Sequence, residues 1–143
     1  MRVGEIMQTS VVSCSPDATI AEAAAHMRER AVGACLVVEG ERLAGIFTER
    51  DLLRLVGAGE DPRSWPVSRG MTPDPAVCPP EADVLWAGDT MRRMGVRHLP
   101  VVEDGHVVGM VSLRDLFVVA EAVLRLDPRG AETAREMLAA ARP

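Results

Sequence analysis

A hydroxyl residue followed three positions later by an aspartate occurs twice in the chain, each time directly after a short apolar run. The first copy is Thr48 and Asp51 in GIFTERDLL, and the second is Ser112 and Asp115 in GMVSLRDLF. This pattern is typical of a helix start, with the hydroxyl as cap and the acid reaching back. Free N–H groups at a helix start also suit a phosphate, and a short carboxylate can accept two hydrogen bonds from the diol of a ribose. The four residues therefore predict helix caps, a ligand site, or both.

The two junctions belong to a longer internal repeat with a spacing of 64 residues. Aligning residues 3–53 with residues 67–117 needs no gap and gives 16 identities in 51 positions, whereas chance would give roughly 4. The matches include Met7 with Met71, Cys14 with Cys78 and Gly45 with Gly109. The repeat predicts two copies of one structural unit that pack face to face about a pseudo-twofold axis and share one core.

Hydrophobic periodicity and turn residues predict the order β-α-β-β-α within each unit. Thr19 or Asp17 is the expected cap of the first helix, and the last helix of each unit is expected to begin at Glu49 or Leu113. The predicted fold class is α+β: two tandem repeats, each with a small mixed or antiparallel sheet, plus a C-terminal helix. The expected boundaries are residues 1–58 for repeat one, 59–66 for a linker, 67–120 for repeat two and 121–143 for a helical extension, with a last helix at Ala131–Ala141 after a break at residues 127–130.

Composition argues against several functional classes. The net charge is −5 and aromatic residues make up 3% with no tyrosine, which disfavours nucleic-acid binding by basic clusters or by base stacking. Apolar runs are too short for a membrane span, and the start lacks a secretory segment, so a cytoplasmic protein is expected. An odd cysteine count without CxxC spacing predicts reduced, buried thiols.

Enzymatic and metal-binding motifs are not found in the sequence. No GxSxG, HExxH, P-loop or dinucleotide glycine motif appears, and no nucleophile is followed by a base at a diagnostic spacing. His26 and His106 are expected on the surface without metal-binding partners. The sequence therefore predicts no catalytic residues, no metal and no catalytic cofactor.

The repeat unit resembles a CBS domain, and the two units together resemble a tandem CBS pair, or Bateman module. The likeness covers about residues 1–120 and is carried by VGEIMQTSVVSCSPDATIAEAAAHM and ACLVVEGERLAGIFTERDLL, with MTPDPAVCPPEADV and VRHLPVVEDGHVVGMVSLRDLF in the second copy. The resemblance implies a regulatory module that binds adenosine compounds in clefts between the repeats. It also implies that the Asp holds the ribose, that the Thr or Ser lies near phosphate, and that the opposite repeat supplies apolar and basic residues.

Carried over to this chain, the resemblance implies two clefts. The first cleft is expected to comprise Ile46, Thr48, Asp51, Pro73, Ala76, Val96, Arg97 and His98. The second is expected to comprise Thr9, Val12, Val32, Gly33, Ala34, Met110, Ser112 and Asp115. Arg97 and His98 suit a phosphate, whereas the aligned Gly33 and Ala34 carry no charge. The first cleft is therefore expected to bind a phosphorylated ligand, and the second to be empty or to hold an uncharged adenosine moiety.

The resulting functional hypothesis is a ligand-sensing regulator without enzymatic activity. It would bind an adenine nucleotide (AMP, ADP or ATP), signal to a separate effector protein and, as the resemblance implies, form a homodimer. One alternative is a structural or dimerisation module whose clefts hold no ligand. Another is a binder of S-adenosylmethionine or a further adenosine compound.

Overall fold

The computed structural model describes residues 1–126, 129, 130, 132, 133 and 136. The first repeat contains β1 (Ser13–Cys14), α1 (Ile20–Glu29), β2 (Ala34–Glu39), β3 (Arg42–Thr48) and α2 (Glu49–Gly57). The second repeat contains β4 (Thr72–Pro73), α3 (Val84–Met94), β5 (His98–Glu103), β6 (His106–Ser112) and α4 (Leu113–Leu126). Short 3-10 turns at Val3–Glu5 and Val67–Arg69 begin the two repeats. The predicted α+β class is confirmed, and α2 and α4 begin at the predicted residues.

Local sequence signals explain the first helix and the second hairpin. Thr19 caps α1, because its hydroxyl accepts from the N–H of Glu22 while the Glu22 carboxylate accepts from the N–H of Thr19. Asp17, the other candidate, does not cap the helix. Asp104 and Gly105 both have positive φ, at 49° and 81°, as the hairpin turn between β5 and β6 requires.

The larger sheet takes strands from both repeats. Its order is β1-β2-β3-β4, with β1 parallel to β2 and the other pairs antiparallel. In repeat two, β5 and β6 form an antiparallel pair, and the counterpart of β1 is a single bridge between Cys78 and Val101. A proline explains the difference: Leu36 donates its N–H to Val12 O, whereas the aligned Pro100 has no N–H to donate.

The opening residues of each repeat pack against the other repeat. We call residues 3–8 and 67–72 the exchanged segments. The N–H of Val3 donates to Ala82 O, and in the other half the N–H of Val67 donates to Ala18 O. Val3 is fully buried in the core of repeat two, and Val67 is fully buried in the core of repeat one beside Phe47. Each repeat is therefore completed by its neighbour.

A glycine in each hairpin lets an exchanged segment approach the strand backbone. A Cβ on Gly45 would lie 2.5 Å from Met71 Sδ and 2.8 Å from Thr72 O. A Cβ on Gly109 would lie 2.8 Å from the aligned Met7 Sδ and 2.9 Å from Gln8 O. Only glycine fits where backbone and side chain come this close. The repeated glycines therefore allow each exchanged segment to pack against the hairpin of the other repeat.

The C-terminal predictions fall largely outside the described residues. Helix α4 continues to Leu126, whereas the break expected at residues 127–130 begins at two residues that are not described; Arg129 and Gly130 are helical. Most of the predicted helix Ala131–Ala141 also lies outside them. In the part of the chain that is described, no helix is both long and apolar enough to cross a membrane.

Candidate functional site

Both hydroxyl–aspartate pairs cap helices, as their spacing predicts. Asp51 Oδ2 accepts from the N–H of Thr48 at 2.9 Å and from its hydroxyl at 3.0 Å, while Thr48 Oγ1 accepts from the N–H of Asp51 at 3.3 Å. Asp115 and Ser112 make the same three contacts at 2.8, 2.7 and 3.4 Å. The reciprocal pattern satisfies backbone donors at the starts of α2 and α4. The capping interpretation is therefore confirmed for both copies.

Capping uses only one oxygen of each carboxylate, and the second oxygens differ between the repeats. Among the described residues, the one polar partner of Asp51 Oδ1 is the mostly exposed guanidinium of Arg54, at 3.5 Å. Asp115 Oδ1 accepts a hydrogen bond from Gln8 Nε2 at 3.1 Å. A ligand hydroxyl would have to displace the Gln8 amide from Asp115, whereas Asp51 offers its second oxygen more freely.

A cavity of about 240 Å³, which we call cavity 1, lies between the repeats beside Asp51. Seven of the eight residues predicted for the first cleft line it: Ile46, Thr48, Asp51, Ala76, Val96, Arg97 and His98. The exception is Pro73, which lies in β4 opposite Gly45, while Thr72 and Asp74 on either side of it do line the cavity. All the residues predicted for the first cleft except Pro73 therefore lie together around cavity 1.

Sequence reasoning missed Arg50 and Met94 in the wall of cavity 1. Arg50 lies between Thr48 and Asp51, and its guanidinium donates to Gly95 O at 2.9 Å across the boundary between the repeats. The signal for it was present in the sequence, because Arg50 recurs as Arg114 in the aligned motif. Arg50 therefore fixes the start of α2 against the end of α3.

A wider cavity of about 1030 Å³, which we call cavity 2, lies beside Asp115. Six of the eight residues predicted for the second cleft line it: Val12, Val32, Gly33, Met110, Ser112 and Asp115. Ala34 does not, because it is fully buried and pairs with Thr48 inside the sheet. Thr9 also lies outside the lining, on the exposed surface, and its neighbours Gln8 and Ser10 take its place.

Arginines line cavity 2, although Gly33 and Ala34 contribute no charge to it. Arg28, Arg30, Arg97 and Arg114 line it, together with the carboxylates of Glu49 and Asp115. Arg28 and Arg30 come from the end of α1, Arg114 from the start of α4, and Arg97 from the residue directly before β5. What the second cleft binds stays a prediction. Arg30 is held there by a hydrogen bond to Ser10 Oγ at 2.6 Å.

Arg97 and His98 line both cavities. Arg97 Nη2 lies 3.9 Å from Glu49 Oε1, so a cation of repeat two faces an anion of repeat one. The N–H of Glu49 donates to Gly33 O, and a Cβ on Gly33 would overlap the Glu49 carboxylate. The glycine at this position therefore leaves space for Glu49 to reach Arg97.

His98 is half-buried, and its environment disfavours the charged imidazolium. Burial lowers the pKa of His98, the nearby Arg97 lowers it further, and Glu49 and Asp115 oppose both effects. The native state therefore binds fewer protons at His98 than the unfolded state does.

We expect this difference to make the free protein less stable as the pH falls below about 6.5, the ordinary histidine value. A depressed native pKa gives stability that is present above the unfolded pKa and lost as the pH falls through the native value. Melting temperatures between pH 7.5 and 5.0 test this. His98→Gln should reduce the dependence of the melting temperature on pH, whereas His26→Gln, at an exposed position, should not. Equal effects of both variants would contradict the assignment of this pH dependence to His98.

In the described part of the chain, no group of three or more His, Cys, Asp or Glu side chains is arranged to hold a metal ion. The arrangement instead offers apolar walls, hydroxyl and carboxylate acceptors and guanidinium donors. This set suits a polar organic anion with an apolar ring.

Comparison with known proteins gives a consistent result. The sequence model of the CBS domain matches residues 3–58 and 67–121. The CBS domain-containing protein YhcV of Bacillus subtilis is 38% identical over 117 residues, which cover 81% of this chain and 83% of that protein.

Two solved structures extend the similarity to the fold. A protein with CBS domains from Burkholderia ambifaria superposes with a TM-score of 0.82 at 28% identity, covering 85% of this chain and 95% of its own. A CBS domain protein from Pyrobaculum aerophilum, solved in complex with AMP, gives a TM-score of 0.76 at 31% identity, covering 81% and 90%.

Proposed function

The chain is a member of the CBS domain family, and from that premise we propose that it is a non-catalytic regulatory sensor of an adenine nucleotide. The nucleotide is AMP, ADP or ATP, cavity 1 is its principal site, and the signal passes to a separate effector protein. The AMP complex of the Pyrobaculum aerophilum relative supports the ligand class. One observation carries the choice of site: cavity 1 joins the available Asp51 oxygen of repeat one to Arg97 and His98 of repeat two.

Different residues in the lining of cavity 1 suit the base, the ribose and the phosphate of a nucleotide. Ile46, Ala76 and Val96 offer apolar contacts for a purine ring. Asp51 Oδ1 can accept from the ribose hydroxyls while Oδ2 continues to cap α2, so binding does not require the cap to be lost. Arg97 supplies a planar donor fork for the phosphate.

The volume of cavity 1 favours a ligand that extends beyond it. About 240 Å³ is slightly below the roughly 300–1,000 Å³ typical of small-molecule sites. Since Arg97 and His98 also line cavity 2, phosphate groups can project from the smaller space toward the wider one. The base and ribose would then be enclosed while the anionic end meets the arginines.

Ligand binding would alter the contact between the repeats. A phosphate on Arg97 competes with the Glu49 carboxylate, which faces the same guanidinium at 3.9 Å in the free protein. The nucleotide would replace this contact with its own bridge between repeat one and repeat two. A state with a different relation between the repeats is favoured only to the extent that the ligand binds it more tightly.

Glu49→Gln is therefore expected to tighten AMP binding by about two- to fivefold, the effect of removing an exposed competing ion pair. Adenosine, which lacks the phosphate, should bind equally well to both proteins. Calorimetry with the two ligands measures this. The matched control is Glu39→Gln, because Glu39 pairs with Arg42 at the hairpin tip. Unchanged or weaker AMP binding by the Glu49 variant would contradict the competition.

Thermal melting with AMP, ATP and adenosine tests the proposed function. A ligand present at a hundred times its dissociation constant should stabilise the protein by about 2.7 kcal/mol. Mass spectrometry of the small molecules that co-purify with the native protein identifies the ligand independently. If no adenosine compound raises the melting temperature and none co-purifies, the sensing function is refuted.

A structural module without a ligand is the competing function, and a specific observation favours it. Both capping boxes are complete in the protein alone, so Asp51 and Asp115 already have a role in stability. The melting experiment separates the two functions, because a purely structural module gains no stability from nucleotides.

The proposal includes a homodimer formed through the helices. Leu53 on α2 and Phe117 on α4 occupy the same position in their repeats and are 74% and 67% exposed. Large apolar side chains that are repeated on an open face favour an interface, and light scattering of the full chain measures the assembly.

A further inference from the structure

Two buried cysteines lie in contact on neighbouring strands of repeat one. Cys14 on β1 and Cys35 on β2 have their sulfur atoms 3.4 Å apart. Cys35 is fully buried and Cys14 is 9% exposed. Cys14 lies opposite Val37 in the parallel pairing, two residues along the strand from Cys35, so the two side chains share one face of the sheet. Nothing in the nucleotide site uses this pair.

Repeat two provides an internal comparison. Cys78 aligns with Cys14, but Leu99 stands at the position of Cys35. Cys78 is fully buried, and burial raises its pKa to about 11. Its sulfur lies 3.9 Å from Pro100 O. The duplicated unit therefore carries a single unreactive thiol in one copy and a dithiol in the other.

The contact makes the two sulfurs of repeat one chemically different. The Cys35 S–H donates to Cys14 Sγ, which lowers the pKa of Cys14 and raises that of Cys35. The thiolate is the nucleophilic form of cysteine. Cys14 is therefore the sulfur that reacts first, and Cys35 is placed to react second.

We propose that Cys14 and Cys35 form an oxidation site at which hydrogen peroxide converts the dithiol to an intrachain disulfide. The Cys14 thiolate attacks the peroxide, gives sulfenic acid and releases water after protonation, so that sulfur is oxidised and the peroxide oxygen is reduced. The Cys35 sulfur then displaces hydroxide from the sulfenic acid, its proton leaves with that hydroxide as a second water, and the S–S bond forms.

The strand that carries Cys14 is suited to this reaction. Strand β1 has only two residues and Ser13 beside Cys14 is exposed, so a small local opening admits the oxidant. The sulfurs must then close from 3.4 Å to the roughly 2.05 Å of a disulfide. Because Val11 and Val12 directly precede β1 and line cavity 2, the new bond would fix that wall to β2.

Peptide mapping of the full chain tests the site directly. Hydrogen peroxide is added to the reduced protein, remaining thiols are blocked, and trypsin cleaves after Arg28 and Arg30, between the two cysteines. We expect residues 3–28 and 31–42 to appear as one disulfide-linked species about 2 Da lighter than the two peptides together, with Cys78 blocked as a free thiol.

Cys35→Leu is the matched variant, because it reproduces the packing partner that repeat two uses for Cys78. It should give no linked species, and its Cys14 should be oxidised as slowly as Cys78, because it has lost the Cys35 S–H donor that lowers its pKa. Cys78→Ser should leave the linked species unchanged. The proposal is overturned if Cys14 and Cys78 are oxidised at the same rate, if the only disulfides join two chains, or if no linked species forms at peroxide levels that oxidise methionine.

Discussion

Asp51→Ala is expected to weaken AMP binding by about a hundredfold, whereas Asp115→Ala should leave most of the affinity intact. Losing the hydrogen bonds that one carboxylate accepts from the ribose hydroxyls costs about 1.5–3 kcal/mol per bond, and 1.4 kcal/mol corresponds to tenfold. Asp51 has an available second oxygen, while Gln8 occupies that of Asp115. Calorimetric titration with AMP measures both variants.

The two aspartate variants control for each other. Each removes the carboxylate half of a capping box and leaves the hydroxyl cap of Thr48 or Ser112 in place, so the change in helix stability is expected to be similar in both variants. Arg97→Ala adds a second comparison, since it should weaken AMP binding and leave adenosine binding nearly unchanged. Equal losses of AMP affinity from Asp51→Ala and Asp115→Ala would show that cavity 1 is not the principal site.

Phe47→Ala is expected to reduce the free energy of unfolding by about 3–5 kcal/mol, the usual cost of removing a buried aromatic ring. Phe47 is fully buried in the core of repeat one beside Val67 of the exchanged segment. A Cβ on Gly70 would lie 3.4 Å from its ring, so the backbone of the exchanged segment packs directly against Phe47. Urea unfolding measures the change.

The size of this loss of stability shows whether the exchanged segment packs tightly against the core of repeat one or only touches it loosely. Natural domains are stable by only about 5–15 kcal/mol, so the alanine variant is expected to be close to unfolding at physiological temperature. Phe47→Leu keeps most of the apolar volume and should cost much less. If Phe47→Ala lowers the free energy of unfolding by less than about 1 kcal/mol, the surrounding residues fill the cavity and the exchanged segment is not tightly packed against repeat one.

Much of the fold could be predicted because the two repeats of the chain can be aligned with each other. Gly45 with Gly109 and Asp51 with Asp115 reveal the repeat, and the strand-to-helix junctions follow from local capping chemistry. The exchange of opening segments could not be predicted, since Thr72–Pro73 is too short to show a strand period. Which hairpin such a segment joins depends on tertiary packing, not on local preference.

The candidate site was predictable where it depends on aligned positions and not elsewhere. Asp51, Arg97 and His98 line cavity 1 as the resemblance implied. Pro73 misses that cavity and Thr9 misses cavity 2, because a shift of one residue along an extended segment turns the side chain to the opposite face. Arg28 and Arg30 of cavity 2 were missed because they lie at a helix end whose direction the sequence does not specify.

The exchanged segments have a consequence for how the chain folds during its synthesis. Residues 3–8 leave the ribosome long before the surface that buries Val3 exists, because that surface includes Ala82, Cys78 and Leu99. At roughly 5–20 residues per second, the amino terminus waits several seconds for its place in the fold. The nascent first repeat likewise lacks part of its core until Val67 has been synthesised. During synthesis, therefore, apolar surface of both repeats is exposed for a time and accessible to chaperones.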